Sequence, residues 1–225
     1  MSLFDFNKVA GDYDLFYDTE LGDKIDKFEK QAVSGFLKAM KGRNMLELGA
    51  GTGHWTALFS HYGFEVTGID EAEEMLEMAA RKNIPNAAFR KADAHNLPFE
   101  EDRFENVAMM ATLEFVEDLG KVWDEIARVL QPGGSLLIGA LNDRSSTAQN
   151  REENPVFGPA RFLTYEELQT ELQRFGSPEL KGCAYLPFAD QMLPLAEIME
   201  YDVSQSVLNM YGNFIAGHVS HEIQN

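Results

Sequence analysis

Residues 45–56 read MLELGAGTGHWT, an apolar run with one acid in it, then glycines at every second position, then the start of a helical pattern. A strand that turns sharply into a helix needs a residue without Cβ where φ becomes positive, and a ligand lying against that turn needs more of them. Gly49, Gly51 and Gly53 meet both demands. The dinucleotide fingerprint Gly-x-Gly-x-x-Gly would place its third glycine at position 54, where this chain carries His54. A pyrophosphate loop, and with it a nicotinamide-dependent oxidoreductase, is therefore the weaker alternative. Glu47 sits one strand period before Gly49 and directs a carboxylate toward the same strand end, which suits a cationic amine and repels two phosphates.

Around this stretch strand-like and helix-like patterns alternate. Apolar residues at Ile25, Phe28, Ala32, Val33, Phe36, Leu37 and Met40 mark one helical stripe, with Gly42 as its stop, and Asn44–Leu48 is the first strand. Helix His54–Tyr62 is stopped by Gly63, and strand Phe64–Ile69 ends at Asp70. Asp70 with Glu73 reads as an N-cap pair for helix Ala72–Lys82, and strand Ala87–Ala92 ends at Asp93. Phe104–Ala111 is almost continuously apolar, as expected of a strand buried on both faces. Helix Leu119–Leu130 is terminated by Gln131-Pro132-Gly133-Gly134, and strand Ser135–Leu141 follows. Thr164 and Glu167 form a capping box for helix Leu163–Phe175. Leu180–Leu186 and Asn213–Val219 read as the last strands, with an amphipathic helical insertion near 188–208 between them. This order implies an α/β fold with a mostly parallel sheet, helices on both faces and ligands at the carboxyl ends of the strands.

Composition narrows the function. The 225 residues contain one cysteine, Cys183, and carry a net charge of −18. So much acid repels phosphate backbones and anionic membrane surfaces, so neither nucleic acid nor membrane is an expected partner. The opening MSLFDFNKVAGDYD lacks the basic region and apolar stretch of a signal peptide, no apolar run reaches the length of a membrane span, and a lone cysteine fits a reducing compartment. A cytoplasmic location is expected, in a single domain over 1–225: an N-terminal lid and helix (1–42), a cofactor-binding core (43–142) and a C-terminal part (143–225). The sequence specifies no oligomeric state.

Residues at the strand ends supply further ligand groups. Asp70 can accept both hydroxyls of a ribose as well as cap a helix, Met75 can lie on a purine face, and Asp93 with Ala94 can meet an exocyclic amine. His218 and His221 have a spacing that could chelate but no third ligand near in sequence, so no metal is expected.

The blocks LELGAGTGHW, VTGID, KADAHNLPF, RFENVAMMATLEFVED and DEIARVLQPGGSLLIGALN, in this order, resemble the class I S-adenosylmethionine-dependent methyltransferases, in particular the branch of the ubiquinone and menaquinone C-methyltransferases. The resemblance spans about Tyr13 to Asn142. It implies a Rossmann-like, doubly wound, seven-stranded sheet with an antiparallel last strand, S-adenosylmethionine as cofactor and S-adenosylhomocysteine as product. Glu47 would hold the methionyl ammonium, Gly49, Ala50, Gly51 and Gly53 would let the backbone pass under the cofactor, and Asp70 would take the ribose. Met75, Asp93 and Ala94 would frame adenine, and Ala111 and Thr112 would line the route to the methyl group. Transfer would proceed by in-line displacement to a small-molecule acceptor, a reaction that rests on positioning and needs no triad. A protein that binds the cofactor without turnover is the alternative.

For the acceptor side, Tyr13 and Tyr17 in YDLFYD are lid candidates, since an aromatic face attracts a sulfonium. Glu114 stands in TLEFVED where the family often has histidine, and an acid there can orient a cationic acceptor or take its proton. Asn142 and Arg144, after the fifth strand, are further acceptor candidates, with Tyr17 and Glu114 the positioning candidates.

Overall fold

The computed structural model describes residues 2–184 and 208–221. Its seven strands are β1 (Asn44–Leu48), β2 (Glu65–Asp70), β3 (Ala87–Lys91), β4 (Phe104–Met110), β5 (Leu130–Leu141), β6 (Glu179–Cys183) and β7 (Phe214–Ser220). They form one sheet in the order β3-β2-β1-β4-β5-β7-β6. Strands β1 to β5 pair in parallel, while β7 runs antiparallel to both β5 and β6. This is the Rossmann-like, doubly wound sheet with an antiparallel last strand that the sequence leads one to expect. The strand order reverses between β1 and β4, so their carboxyl ends diverge into loops and leave a crevice there.

The helices are α1 (Glu20–Leu37), α2 (His54–His61), α3 (Glu73–Arg81), α4 (Leu119–Val129), α5 (Ser146–Gln149) and α6 (Tyr165–Leu172). Side chains alternate across the central strands. Leu46, Leu48, Val107 and Met109 pack with Trp123, Ile126, Leu168, Leu172 and Phe175 on one face. Met45, Ala108 and Met110 pack with Ile25, Val33, Phe36 and Phe59 on the other. Both faces of β4 are thus covered, which is why its sequence is apolar almost without a break. Each large side chain buried in these layers stabilises the fold by about 1.5–3 kcal/mol.

Three boundaries differ from the sequence expectation for identifiable reasons. Helix α1 begins at Glu20, ahead of Ile25, where the Thr19 hydroxyl accepts the Gly22 N–H. Its first turns are held by Lys24–Glu20 and Lys27–Asp23 pairs, so they carry no apolar stripe to betray them. Helix α3 is not capped by Asp70. Strand β2 runs through Asp70, whose Oδ1 accepts the N–H of Ala72 and whose Oδ2 accepts that of Gly51. Asn7, from the N-terminal segment, accepts the Glu74 N–H and caps α3 from outside. The Pro132-Gly133-Gly134 turn lies within β5, between the pairings Phe104–Leu130 and Asn106–Ser135, where the register shifts. The Thr164–Glu167 capping box is present as expected. The insertion near 188–208 falls outside the described residues except at Leu208, which opens a short turn Leu208–Tyr211.

Candidate active site

Beyond Leu48 the chain turns through Gly49, Gly51 and Gly53, at φ of 71°, 52° and 79°. A Cβ on Gly49 would meet the Thr112 side chain at 2.2 Å, so this glycine lets the end of β4 close on the end of β1. A Cβ on Gly53 would press on Ile84 at 2.8 Å. Only at Gly51 would a Cβ project into open space, and its N–H is fixed by Asp70 Oδ2 at 2.9 Å. The loop leads into α2, which has no side-chain cap at its N-terminus. That arrangement favours an anionic group such as a carboxylate.

A cavity of about 370 Å³ opens over this loop. Gly49, Ala50, Gly51, Asp70, Met75, Asp93, Ala94, Ala111 and Thr112 line it, as do Tyr13 and Tyr17 of the N-terminal segment. Ala111 holds a left-handed φ of 47° at the end of β4, a conformation that costs a non-glycine residue about 1–2 kcal/mol and bends the chain away from the sheet at the cavity wall. Glu47, Gly53, Glu114, Asn142 and Arg144 are not among the lining residues.

Glu47 is 1% exposed and takes the Thr56 hydroxyl at 2.5 Å. Burial, and secondarily the Asp70 charge, push its carboxyl up to about 8 against the opposing Thr56 bond. Burial likewise raises Asp70, against the bonds from Ala72 and Gly51. Asp93 behaves oppositely: burial raises it, but the backbone and ring N–H of His95 hold it below its ordinary value. His95 Nε2 accepts the Asp118 N–H at 3.2 Å, so Nδ1 carries the proton that faces Asp93 at 2.6 Å. Glu71, Asp93 and His95 bring ligand atoms within 4.8 Å of one another. His95 bonds Asp93 through Nδ1 and Glu71 accepts the Ser2 N–H, so the three close one corner of the cavity. His218 lies in β7, stacked on Phe36, and His221 lies against Phe175, so neither faces the cavity.

The acceptor-side candidates separate. Glu114 is wholly buried beside the cavity-lining Phe115, with Oε1 accepting the Leu141 N–H and Oε2 without a partner; burial pushes its carboxyl up to about 7. Asn142 serves the fold: its amide donates to the carbonyls of Met210 and Gly212, and its Oδ1 accepts the Arg144 N–H. Arg144 pairs with Glu166 at 2.9 Å. Tyr17 stacks on His54, with rings 3.7 Å apart and nearly parallel.

Sequence reasoning missed the first residues of the chain. Ser2, Phe4, Phe6 and Asn7 also line the cavity. Ser2 forms an antiparallel bridge with Val116, and Phe6 meets Phe115 edge to face at 4.8 Å. The signal was the aromatic spacing in SLFDFN, two rings on one side of an extended segment. Trp55 lines the cavity too, stacked on Phe214. Among the described residues, acids line the cavity at Asp5, Asp70, Glu71 and Asp93, and no lysine or arginine does. This polarity suits a cationic ligand.

The family described as "Methyltransferase domain" matches residues 46–138. An uncharacterized protein of Methanocaldococcus jannaschii, MJ1123, is 30% identical over 182 residues, which cover 79% of this chain and 82% of that protein. The demethylmenaquinone methyltransferase of Renibacterium salmoninarum is 28% identical over 224 residues, covering 95% of this chain and 88% of the enzyme. Among solved structures, a Thermotoga maritima protein described as a SAM-dependent methyltransferase and possible histamine N-methyltransferase superposes with a TM-score of 0.74, at 21% identity, over 96% of this chain and 98% of that one. The last establishes the shared fold. Together with the glycine loop at the switch point and the acid-lined cavity above it, these relationships place the chain: it belongs to the class I S-adenosylmethionine-dependent methyltransferases.

Proposed function

We propose that this enzyme methylates a small-molecule acceptor by in-line displacement, with S-adenosylmethionine held in the cavity over Gly51. The observation that carries this reading is a lining that, among the described residues, has four carboxylates and no lysine or arginine, set around a glycine whose missing Cβ leaves room for a ligand. The residues present fit the cofactor. Each carboxylate oxygen of Asp70 accepts one backbone N–H and keeps a lone pair for a ribose hydroxyl. Asp93, oriented by His95, offers its carboxylate to the adenine amine, beside Ala94 and the buried Met75. Gly49, Ala50 and Gly51 give the amino-acid end a bare backbone wall. Glu47, outside the lining and bonded to Thr56, would meet the ammonium through water, and a cation there would favour the ionised form against the proton that burial favours. Bound there, the cofactor supplies an electrophilic methyl on a sulfonium. Ala111, Thr112 and Tyr17 bound the space in which the acceptor must line up with that methyl, and Glu114, buried outside the lining, adjoins Phe115 in the chain and holds the Leu141 N–H. Gly53, Asn142 and Arg144 act through the shape of the loop and strand ends.

A small acceptor is supported by the likeness to a demethylmenaquinone methyltransferase and to a protein described as a possible histamine N-methyltransferase. The net charge of −18 argues against nucleic acid, and no helix among the described residues is long and apolar enough to cross a membrane. We place the protein in the cytoplasm on the same composition. Calorimetry tests the core of the reading: S-adenosylhomocysteine should bind with a Kd in the micromolar range (about −8 kcal/mol) while NAD gives no heat. Binding of NAD in preference to S-adenosylhomocysteine would sink it.

A further inference from the structure

We propose that Lys82 latches the N-terminal lid over the cofactor cavity and thereby sets how fast cofactor and product exchange. The inference rests on the reading that the cavity holds S-adenosylmethionine. Lys82 lies just beyond α3, outside the cavity lining, and no motif marks it. Its ammonium is 2.6 Å from Asp14 Oδ2 of the lid and 3.3 Å from the hydroxyl of Thr52 in the glycine loop. That hydroxyl donates to Asp14 Oδ1 at 2.6 Å, so lid, loop and helix end are tied through one three-membered network.

Several features make this tie more than a surface ion pair. Thr52 is 1% exposed and stands between Gly51 and Gly53, both at positive φ, so the hydroxyl that joins the lid belongs to the glycine loop itself. Asp14 follows Tyr13 and precedes Tyr17, both of which line the cavity, so holding Asp14 holds the rings that cover it. The Lys82 and Asp14 side chains are only about one-third exposed, at 32% and 34%, which leaves their pairing less screened than a fully solvated one. The other attachments of the lid among the described residues include the backbone bridge at Ser2, the Ser2 N–H bond to Glu71, the Leu3 N–H bond to the Phe115 carbonyl, the Asn7 cap on α3, apolar packing on Ala72 and Met75, and ring contacts. None of these reaches Thr52. For a ligand to enter or leave past Tyr13 and Tyr17, the lid must part from the loop, and the Asp14–Thr52–Lys82 network must open. Lys82 is a positioning residue: it acts on the cofactor through Asp14 and Thr52.

The test needs no acceptor. Release of S-adenosylhomocysteine from the full chain can be followed by stopped flow, using the fluorescence of Trp55 in the cavity wall. Lys82→Met should speed release about fivefold, the effect of losing a partly screened charged pair. Asp14→Asn, whose amide oxygen still accepts the Thr52 hydroxyl, should do the same, and the double variant should be no faster than Lys82→Met alone, because each removes the same Lys82–Asp14 pair. Lys27→Met, which breaks the Lys27–Asp23 pair on α1, should leave release unchanged and so reports what loss of any ion pair does. Unchanged release in Lys82→Met, or independent additive effects of the two substitutions, would overturn the latch while leaving the cofactor assignment standing. If the wild-type protein bound no S-adenosylhomocysteine, both would fall.

Discussion

The three glycines of the 49–53 loop look equivalent in sequence, but their surroundings give them different work. Gly49 is bare because the Thr112 side chain occupies the place of its Cβ, whereas Gly51 is bare facing open cavity. Gly51→Ala should therefore fold, losing about 1–2 kcal/mol for its left-handed φ, and weaken S-adenosylhomocysteine binding at least tenfold (about 1.4 kcal/mol). Gly49→Ala adds a steric conflict to the same backbone cost and should lose about 2–5 kcal/mol of stability. Urea unfolding and calorimetry on the two variants would separate the roles; equal loss of stability in both would contradict the distinction. The pattern of glycines was legible from sequence, but which glycine faces open cavity was not, because Thr112 is brought to Gly49 only by the pairing of β1 with β4.

At the scale of elements, caps separate what holds the fold from what covers the site. The Thr164–Glu167 box closes α6, whose Leu168 and Leu172 pack in the core on the far side of the sheet from α1 and α2. Thr164→Ala should cost about 1 kcal/mol of global stability and leave S-adenosylhomocysteine affinity unchanged. Asn7→Ala removes an exposed cap from α3 and frees the lid at the same point, so it should weaken affinity while lowering the thermal midpoint little. A Thr164→Ala variant with impaired binding, or an Asn7→Ala variant with intact binding, would refute this division. The same contrast explains what sequence could reveal. The first four strands, α2, α4 and the capping box of α6 follow local periodicity or local caps and were readable to within a few residues, whereas β5 begins five residues before the expected Ser135 and the expected end of the sixth strand, 185–186, lies outside the described residues. Helix α1 begins in charged turns with no apolar stripe, and α3 borrows its cap from a residue far along the chain. The segment from Ser2 to Asn7 gains its role by pairing with Val116 and packing on Phe115, contacts that no local pattern encodes.

For the whole molecule, charge and burial pull stability in the same direction. Glu29, Glu47 and Glu114 are all buried, and desolvation raises their carboxyls to about 8, 8 and 7. Asp26 and Glu114 add like charge at Glu29, partly offset by Lys30, and Asp70 does so at Glu47. Between the ordinary glutamate range near pH 4.3 and these values, the native state binds more protons than the unfolded chain, so stability is greatest below that range and is lost as pH rises through the folded values. One pK unit is already about 1.4 kcal/mol. Asp26 has the opposite sign: burial raises it, but bonds from His54 and Lys30 outweigh this, so its contribution is lost on acidification. The ligand-free protein should therefore be most stable near about pH 4–4.5, above the range in which Asp26 takes up its proton and below that in which the buried glutamates lose theirs, with a thermal midpoint that falls several degrees by about pH 8.5. The net charge of −18 adds surface repulsion as pH rises, and the two causes respond differently to salt. Raising salt to about 0.5 M shortens the screening length to a few ångströms and should remove the surface contribution while leaving that of the buried acids. Glu47→Gln keeps an acceptor for the Thr56 hydroxyl and removes the titration, so it should flatten the high-salt pH dependence. A pH slope that vanished in salt for the wild type would show that surface charge, and not the buried carboxyls, sets the stability profile.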